Sequence, residues 1–251
     1  MVVSPVLDNE AGLQSTSAYD ARTLEASEDF LRYNRWVVSA FGPAIGGRAL
    51  EIGCGIGTMS ALLVERCSEL VLVEPAPNLR ARLTERFAGS PSVTVCEGLL
   101  ETAVQRRPDV FESGFDAVVA FNVLEHIEDD VGALRQAADL LRPDGRVCLF
   151  VPAMPWLYGA VDAQVDHVRR YTKATMGAAL AAAGLQPERL QYLDLLGMVP
   201  WFVFGRVLKR STQGGGVGWY DRVVIPVCRG LDRLVGPPVG KNLVVVATVR
   251  R

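Results

Sequence analysis

The chain has 251 residues, 49% of them apolar, and a formal net charge of −2. That is enough to bury one enzyme-sized core, and there is no basic tail of the kind that marks a nucleic-acid binder. Five cysteines, Cys54, Cys67, Cys96, Cys148 and Cys228, show no C-x-x-C spacing, and the sequence carries neither a secretory-signal layout nor an uncharged apolar run of the roughly 20 residues that a membrane span needs. A soluble cytoplasmic protein with reduced core thiols is expected, without internal repeats.

In chain order, a helical segment from Ser27 to Phe41 precedes an apolar run, Ala49 to Ile52, that reads as a buried parallel strand. Three alternate glycines follow, Gly53, Gly55 and Gly57, before a helix begins near Met59. Glycines at a strand-to-helix turn allow positive φ and let a ligand approach the backbone. A dinucleotide fingerprint needs glycine at the sixth position of the loop, where Thr58 stands, which disfavours an NAD-dependent oxidoreductase. Glu51, just before the loop, would repel a pyrophosphate but can accept from an ammonium group. A second strand, Leu70 to Val73, ends in Glu74, placed to accept from both hydroxyls of a ribose, and Pro75 and Pro77 stop that strand before a helix over Leu79–Phe87. Further strands are expected over Val93–Cys96, Phe115–Phe121, Arg146–Val151, about Glu188–Asp194 and Leu243–Val249. A helix starts near Thr172 and stops at Gly184.

The stretch Glu51-Ile52-Gly53-Cys54-Gly55-Ile56-Gly57 resembles the first motif, E/D-x-G-x-G-x-G, of the class I S-adenosylmethionine-dependent methyltransferases. The run from Phe115 to Ile127 and the turn Leu141-Arg142-Pro143-Asp144-Gly145 resemble the same family. The resemblance implies an α/β fold, a doubly wound, seven-stranded, mostly parallel Rossmann-like sheet whose last strand inserts antiparallel beside the sixth. It implies S-adenosyl-L-methionine as cofactor, with Glu51, Gly53, Cys54, Gly55, Gly57 and Thr58 beneath its amino-acid end and Glu74 and Pro75 beside the ribose. Gly98 and Leu99 would lie near the adenine, where the family usually has an acid, and Asn122 and Val123 would follow the fourth strand. His167-Val168-Arg169-Arg170-Tyr171-Thr172 and the stretch Pro237 to Leu243 resemble a bacterial small-molecule subgroup of quinone-type and secondary-metabolite enzymes. A binding protein or rearrangement catalyst on the same fold stays open as an alternative.

The organisation expected is a helical cover over residues 1–45, a cofactor core over 46–194, a hydrophobic lid over 195–242 and a final strand over 243–251. The connection from Leu195 to Asn242 is far longer than ordinary loops, and topology places it over the cofactor edge. With Pro152–Tyr171 it carries Trp156, Leu157, Tyr158, Met198, Trp201, Phe202, Phe204, Trp219 and Tyr220, which favours a small apolar acceptor. Trp156, Tyr158, Arg170, Tyr171 and Trp201 are the candidate acceptor contacts. The two histidines, His126 and His167, both fall at that edge and are the candidate bases, with Asp166 or Glu125 to orient a ring. Some quinone-biosynthesis O-methyltransferases of this class bind magnesium through Glu-x-x-Glu-His in this loop. Here Asn122 replaces the first acid, and no required metal is expected. Methylation of a hydroxyl is favoured over nitrogen or carbon, and the oligomeric state is open.

Apolar Trp219, Val223, Val227, Leu231 and Leu234 recur at helical spacing, interrupted by Pro226. Around them Arg206, Lys209, Arg210, Arg222, Arg229, Arg233 and Lys241 are opposed only by Asp221 and Asp232. Such a lid, hinged at Gly214-Gly215-Gly216, suits contact with a membrane surface or a lipid-like acceptor.

Overall fold

The computed structural model describes Glu28 and residues 30–203 and 220–250. The expectations on Ser27, Phe204, Arg206, Lys209, Arg210, Gly214 to Gly216 and Trp219 lie outside these residues, as does the side chain of Tyr220.

In the first half, α1 (Leu31–Ala40), β1 (Gly47–Ile52), α2 (Ser60–Leu63), β2 (Cys67–Glu74), α3 (Pro77–Phe87), β3 (Val93–Glu97), α4 (Leu100–Arg106) and α5 (Pro108–Phe111) follow in order. The second half runs β4 (Phe115–Phe121), α6 (Asp130–Asp139), β5 (Leu141–Pro152), α7 (Ala160–Gln164), α8 (Lys173–Ala182), β6 (Leu185–Leu193), α9 (Met198–Trp201), α10 (Ile225–Val235) and β7 (Asn242–Val249). The strands form one sheet of order β3-β2-β1-β4-β5-β7-β6, parallel except for β7, which pairs antiparallel with both β5 and β6. Strand order reverses between β1 and β4, which opens a crevice at their carboxyl ends.

The strands read as continuous apolar runs because both faces of the sheet are covered. Alternate residues go to opposite sides: Leu50, Val71, Val73, Val118 and Val147 join one buried cluster, and Ala49, Leu70, Leu72, Val119 and Cys148 the other. All five cysteines are free thiols.

Several boundaries differ from the sequence expectation for local reasons. β2 begins at Cys67 because Glu69, polar and at the sheet margin, pairs with Arg48 of β1 at 2.8 Å. β5 begins at Leu141, with the Pro143-Asp144-Gly145 turn absorbed as a register shift and Asp144 at φ 66°. β6 likewise starts early, at Leu185, with an irregularity between Pro187 and Arg189. Pro226 does not interrupt the lid helix. Lacking an N–H, it sits in the first turn of α10, directly after a π-helical turn over Tyr220–Val224. No helix among the described residues is long and apolar enough to cross a membrane.

Candidate active site

The loop after β1 is shaped by its glycines before any ligand is considered. Gly53, Gly55 and Gly57 have φ of 68°, 58° and 84°. A Cβ on Gly53 would lie 2.6 Å from Cγ2 of Val123, and one on Gly57 would lie 2.8 Å from Leu83 and 2.9 Å from Phe87. Gly53 therefore lets the loop after β4 approach the loop after β1, and Gly57 seats the loop against α3.

Two acids lie under this loop. Glu74 is buried, and its carboxylate accepts from the Gly55 N–H at 2.8 Å and the Ala76 N–H at 2.9 Å, so it braces the turn as well as facing the crevice. Pro75, half-buried, turns the chain between them. Burial raises the Glu74 pKa above its ordinary value. Glu51 is more deeply buried, one of its oxygens has no hydrogen-bond partner, and burial, with the nearby Glu74 charge adding to it, pushes its pKa to about 8. The Thr58 hydroxyl in the same loop is also buried without a partner. An orphaned buried acid beside an unpaired hydroxyl fits a ligand that brings an ammonium group and further donors. Cys54 turns its side chain inward, its thiol donating to the carbonyls of Glu51 and Val73, so only its backbone is available to a cofactor. Gly98 has φ 96° after β3, and Leu99 is exposed beside it. After β4, Asn122 has φ 51°, donates its N–H to Phe150 at 2.8 Å and leaves its side chain exposed, while Val123 packs over Gly53.

The histidines lie together, ring centroids 4.7 Å apart in an edge-on arrangement. His126 is bonded toward the backbone carbonyls of Asp166 and Asn122, and burial, with His167 beside it, lowers its pKa to about 4. It is a neutral brace between two loops. His167 is held differently: its Nδ1 lies 2.8 Å from Asp162 Oδ1, and its Nε2 lies 3.6 Å from Glu125 Oε1. Asp162 is fully buried, which alone would raise its pKa. Hydrogen bonds from His167 and Arg170 outweigh burial and hold it below the usual carboxylate value. Asp162, not Asp166, is thus the residue that orients the ring, and the sequence reading missed it. Glu125, also fully buried with both oxygens unbonded, is pushed to about 8 by burial.

Among the candidate acceptor contacts, Arg170 and Tyr171 prove to be internal supports. Arg170 is buried, donates to Asp162 at 2.8 Å and to Ala153 at 3.0 Å, and stacks under the Trp201 ring at 5.0 Å. Tyr171 lies in the core and donates its hydroxyl to Asp130 at 2.9 Å. Trp156, Tyr158 and Trp201 stay at the edge. The Tyr158 hydroxyl donates to the His167 carbonyl at 2.7 Å, and Trp156 joins Leu195, Met198, Val199, Phe202 and Val203 around an apolar groove of about 300 Å³. The Trp201 indole N–H is buried without a partner.

Among the described residues, Glu125, His126 and His167 each offer a donor atom, all within 4.8 Å of one another. Two imidazoles and one carboxylate do not fit magnesium, which takes an octahedron of oxygens, and the exposed Asn122 side chain adds no carboxylate.

A family model described as a methyltransferase domain matches residues 26–190. The chain belongs to this methyltransferase family. The methyltransferase is 27% identical over 191 residues to a ubiquinone biosynthesis O-methyltransferase of Xanthomonas axonopodis pv. citri (strain 306), covering 69% of this chain and 76% of that protein. It is 25% identical over 177 residues to the protein of the same name from Xanthomonas campestris pv. campestris (strain B100), covering 66% and 72%. Its fold is similar to that of the Burkholderia thailandensis 1,6-didemethyltoxoflavin-N1-methyltransferase, at a TM-score of 0.57 and 19% identity over 100% of this chain and 94% of the other. The CcbJ methyltransferase of Streptomyces caelestis is similar at a TM-score of 0.56 and 17% identity, over 89% and 90%. The methyltransferase uses S-adenosylmethionine as its cofactor, and the crevice between the loops after β1 and β4 has the donors and the orphaned acid to receive it.

Proposed function

We propose that the methyltransferase transfers a methyl group to a hydroxyl of a small, hydrophobic acceptor, with His167 as general base. The observation that carries this reading is the pairing of His167 with the buried, ionised Asp162, which fixes a proton on Nδ1 and leaves Nε2, 3.6 Å from Glu125 Oε1 and beyond hydrogen-bond distance of it, to take one from an acceptor. The bound cofactor supplies an electrophilic methyl carbon on a sulfonium leaving group. The chain's residues do the rest. His167 Nε2 would accept the hydroxyl proton of the acceptor, whose oxygen would take the methyl group that the bound cofactor supplies. Asp162 stabilises the imidazolium that results. Val123 and the glycine loop fix the approach, since in-line displacement gains most of its rate from positioning. Glu51, Gly53, Gly55 and Thr58 hold the amino-acid end in this reading, Glu74 the ribose, and Gly98 and Leu99 flank the adenine. Trp156 and the groove beside it take the apolar body of the acceptor, and the unpartnered Trp201 N–H offers it a hydrogen bond. The O-methyltransferase names of the two Xanthomonas relatives support oxygen as the acceptor atom.

The test is a panel of alkyl-substituted phenols and the matching anilines, incubated with the protein and S-adenosylmethionine and read by mass spectrometry. Addition of one methylene's mass to the phenols is expected. Transfer to the anilines alone would assign nitrogen instead.

A further inference from the structure

The helical turn over Tyr220–Val224 and α10 form one continuous rod that presents three distinct stripes. Asp221, Ile225, Cys228 and Asp232, at i, i+4, i+7 and i+11, are buried. The two aspartates on this face grip the protein: Asp221 accepts from the N–H groups of Arg32 and Tyr33 at 2.9 and 3.0 Å, and Asp232 from those of Asp194 and Leu195 at 2.6 and 3.3 Å. Both acids of the segment are therefore turned inward. One residue along, at the same spacing, Arg222, Pro226, Arg229 and Arg233 form a basic stripe, with Arg222 and Arg233 exposed. One further along, Val223, Val227, Gly230 and Leu234 form an exposed stripe on which Val223 is 48%, Val227 60% and Leu234 87% accessible. At 3.6 residues per turn the basic and apolar stripes lie about a third of a turn apart, both away from the core.

This is an amphipathic helix with its apolar side outward, which a water-facing surface does not need and which two exposed arginines, Arg222 and Arg233, border without an exposed acid on the rod. Asp232 ties it to Leu195, which lines the apolar groove, where Val199 at 64% and Trp156 at 51% are also accessible. We propose that the edge formed by residues 220–235 and the groove beside Leu195 docks on an anionic lipid bilayer, with Val223, Val227 and Leu234 entering the headgroup–acyl boundary and Arg222 and Arg233 meeting lipid phosphates. In a two-fold pairing of this face the exposed Arg222 and Arg233 would meet their own counterparts, which selects an anionic lipid surface over a second copy of this chain. Docking opens the groove toward molecules dissolved in the bilayer. It does not depend on which atom is methylated, so its failure and that of the O-methylation reading are separable.

The test is sedimentation of the full chain with vesicles of pure phosphatidylcholine and of phosphatidylcholine with roughly one quarter phosphatidylglycerol, at low and at about 0.15 M salt. Binding to the anionic vesicles that weakens with salt is expected. Arg222→Gln with Arg233→Gln should lower partitioning about 25-fold, about fivefold for each charge, and Val227→Asp with Leu234→Asp at least about tenfold. Unchanged thermal midpoints and S-adenosylhomocysteine affinity show that these surface variants are folded. No sedimentation at low salt, or equal sedimentation of the variants, would overturn the proposal. So would a wild-type dimer that Val227→Asp with Leu234→Asp dissociates, which would give the face to a second copy.

Discussion

At the scale of single residues, Glu51 holds a proton that an ordinary glutamate would have lost. Its pKa of about 8 in the folded chain stands above the usual 4.5, so the folded state binds a proton that the unfolded state releases between those values. Stability from this group is fully present below about pH 4.5 and is lost as pH rises to about 8, and Glu125 contributes with the same sign. The thermal midpoint of the ligand-free protein is therefore expected to fall across that window, and to fall less in Glu51→Gln. A cationic ligand favours the ionised form of Glu51. Titration of S-adenosylhomocysteine at pH 7 in buffers of different ionisation enthalpy should show a proton released to buffer by the wild type and none by Glu51→Gln. At His167, the orientation supplied by Asp162 is a separate prediction. Asp162→Asn should lower kcat by about 10²- to 10⁴-fold, the usual contribution of a positioned base, while S-adenosylhomocysteine affinity holds. Glu51 and Glu74 were legible in the sequence because Glu51 stands two residues before the first glycine of the loop and Glu74 closes the apolar run Leu70–Val73. Asp162 was not. The left-handed Asp166, φ 57°, reverses the chain so that the His167 N–H bonds to the Asp162 carbonyl and the two side chains meet across five residues, a contact that no regular periodicity announces.

At the scale of elements, the glycine loop is a packing device as well as the proposed cofactor cradle. Gly57→Ala places a methyl group in contact with Leu83 and Phe87 and forces a left-handed alanine. Denaturant unfolding should show a loss of about 1 to 3 kcal/mol from the backbone alone, with more from the overlap. The strands were readable because residues such as Leu70–Val73 and Val147–Val151 are buried on both sides and form unbroken apolar runs. Their polar ends were not: Glu69 and Asp144 extend β2 and β5 through an ion pair and a bulge, which composition does not signal. Pro226 read as an interruption because the pattern cannot show a π-turn that precedes it.

At the scale of the molecule, strand order puts four segments at one edge: the loops after β1 and β4, the segment between β5 and α8, and the connection between β6 and β7. The Asp162–His167 pair, the orphaned Glu51 and the apolar groove come from three of them. Resemblance in the sequence reached the cofactor loops because their glycines and acids have fixed spacing. It reached the acceptor side only as a list of aromatics, since Arg170 and Tyr171 carry the same polar handles as true contacts and only packing shows them to be internal. The most direct test of the account is the single-turnover rate of methyl transfer to the best phenol of the panel by His167→Ala, with and without added imidazole. A fall of about 10²- to 10⁴-fold, partly restored by imidazole with cofactor affinity unchanged, is expected. A rate close to wild type would contradict His167 as the base and leave transfer to positioning alone.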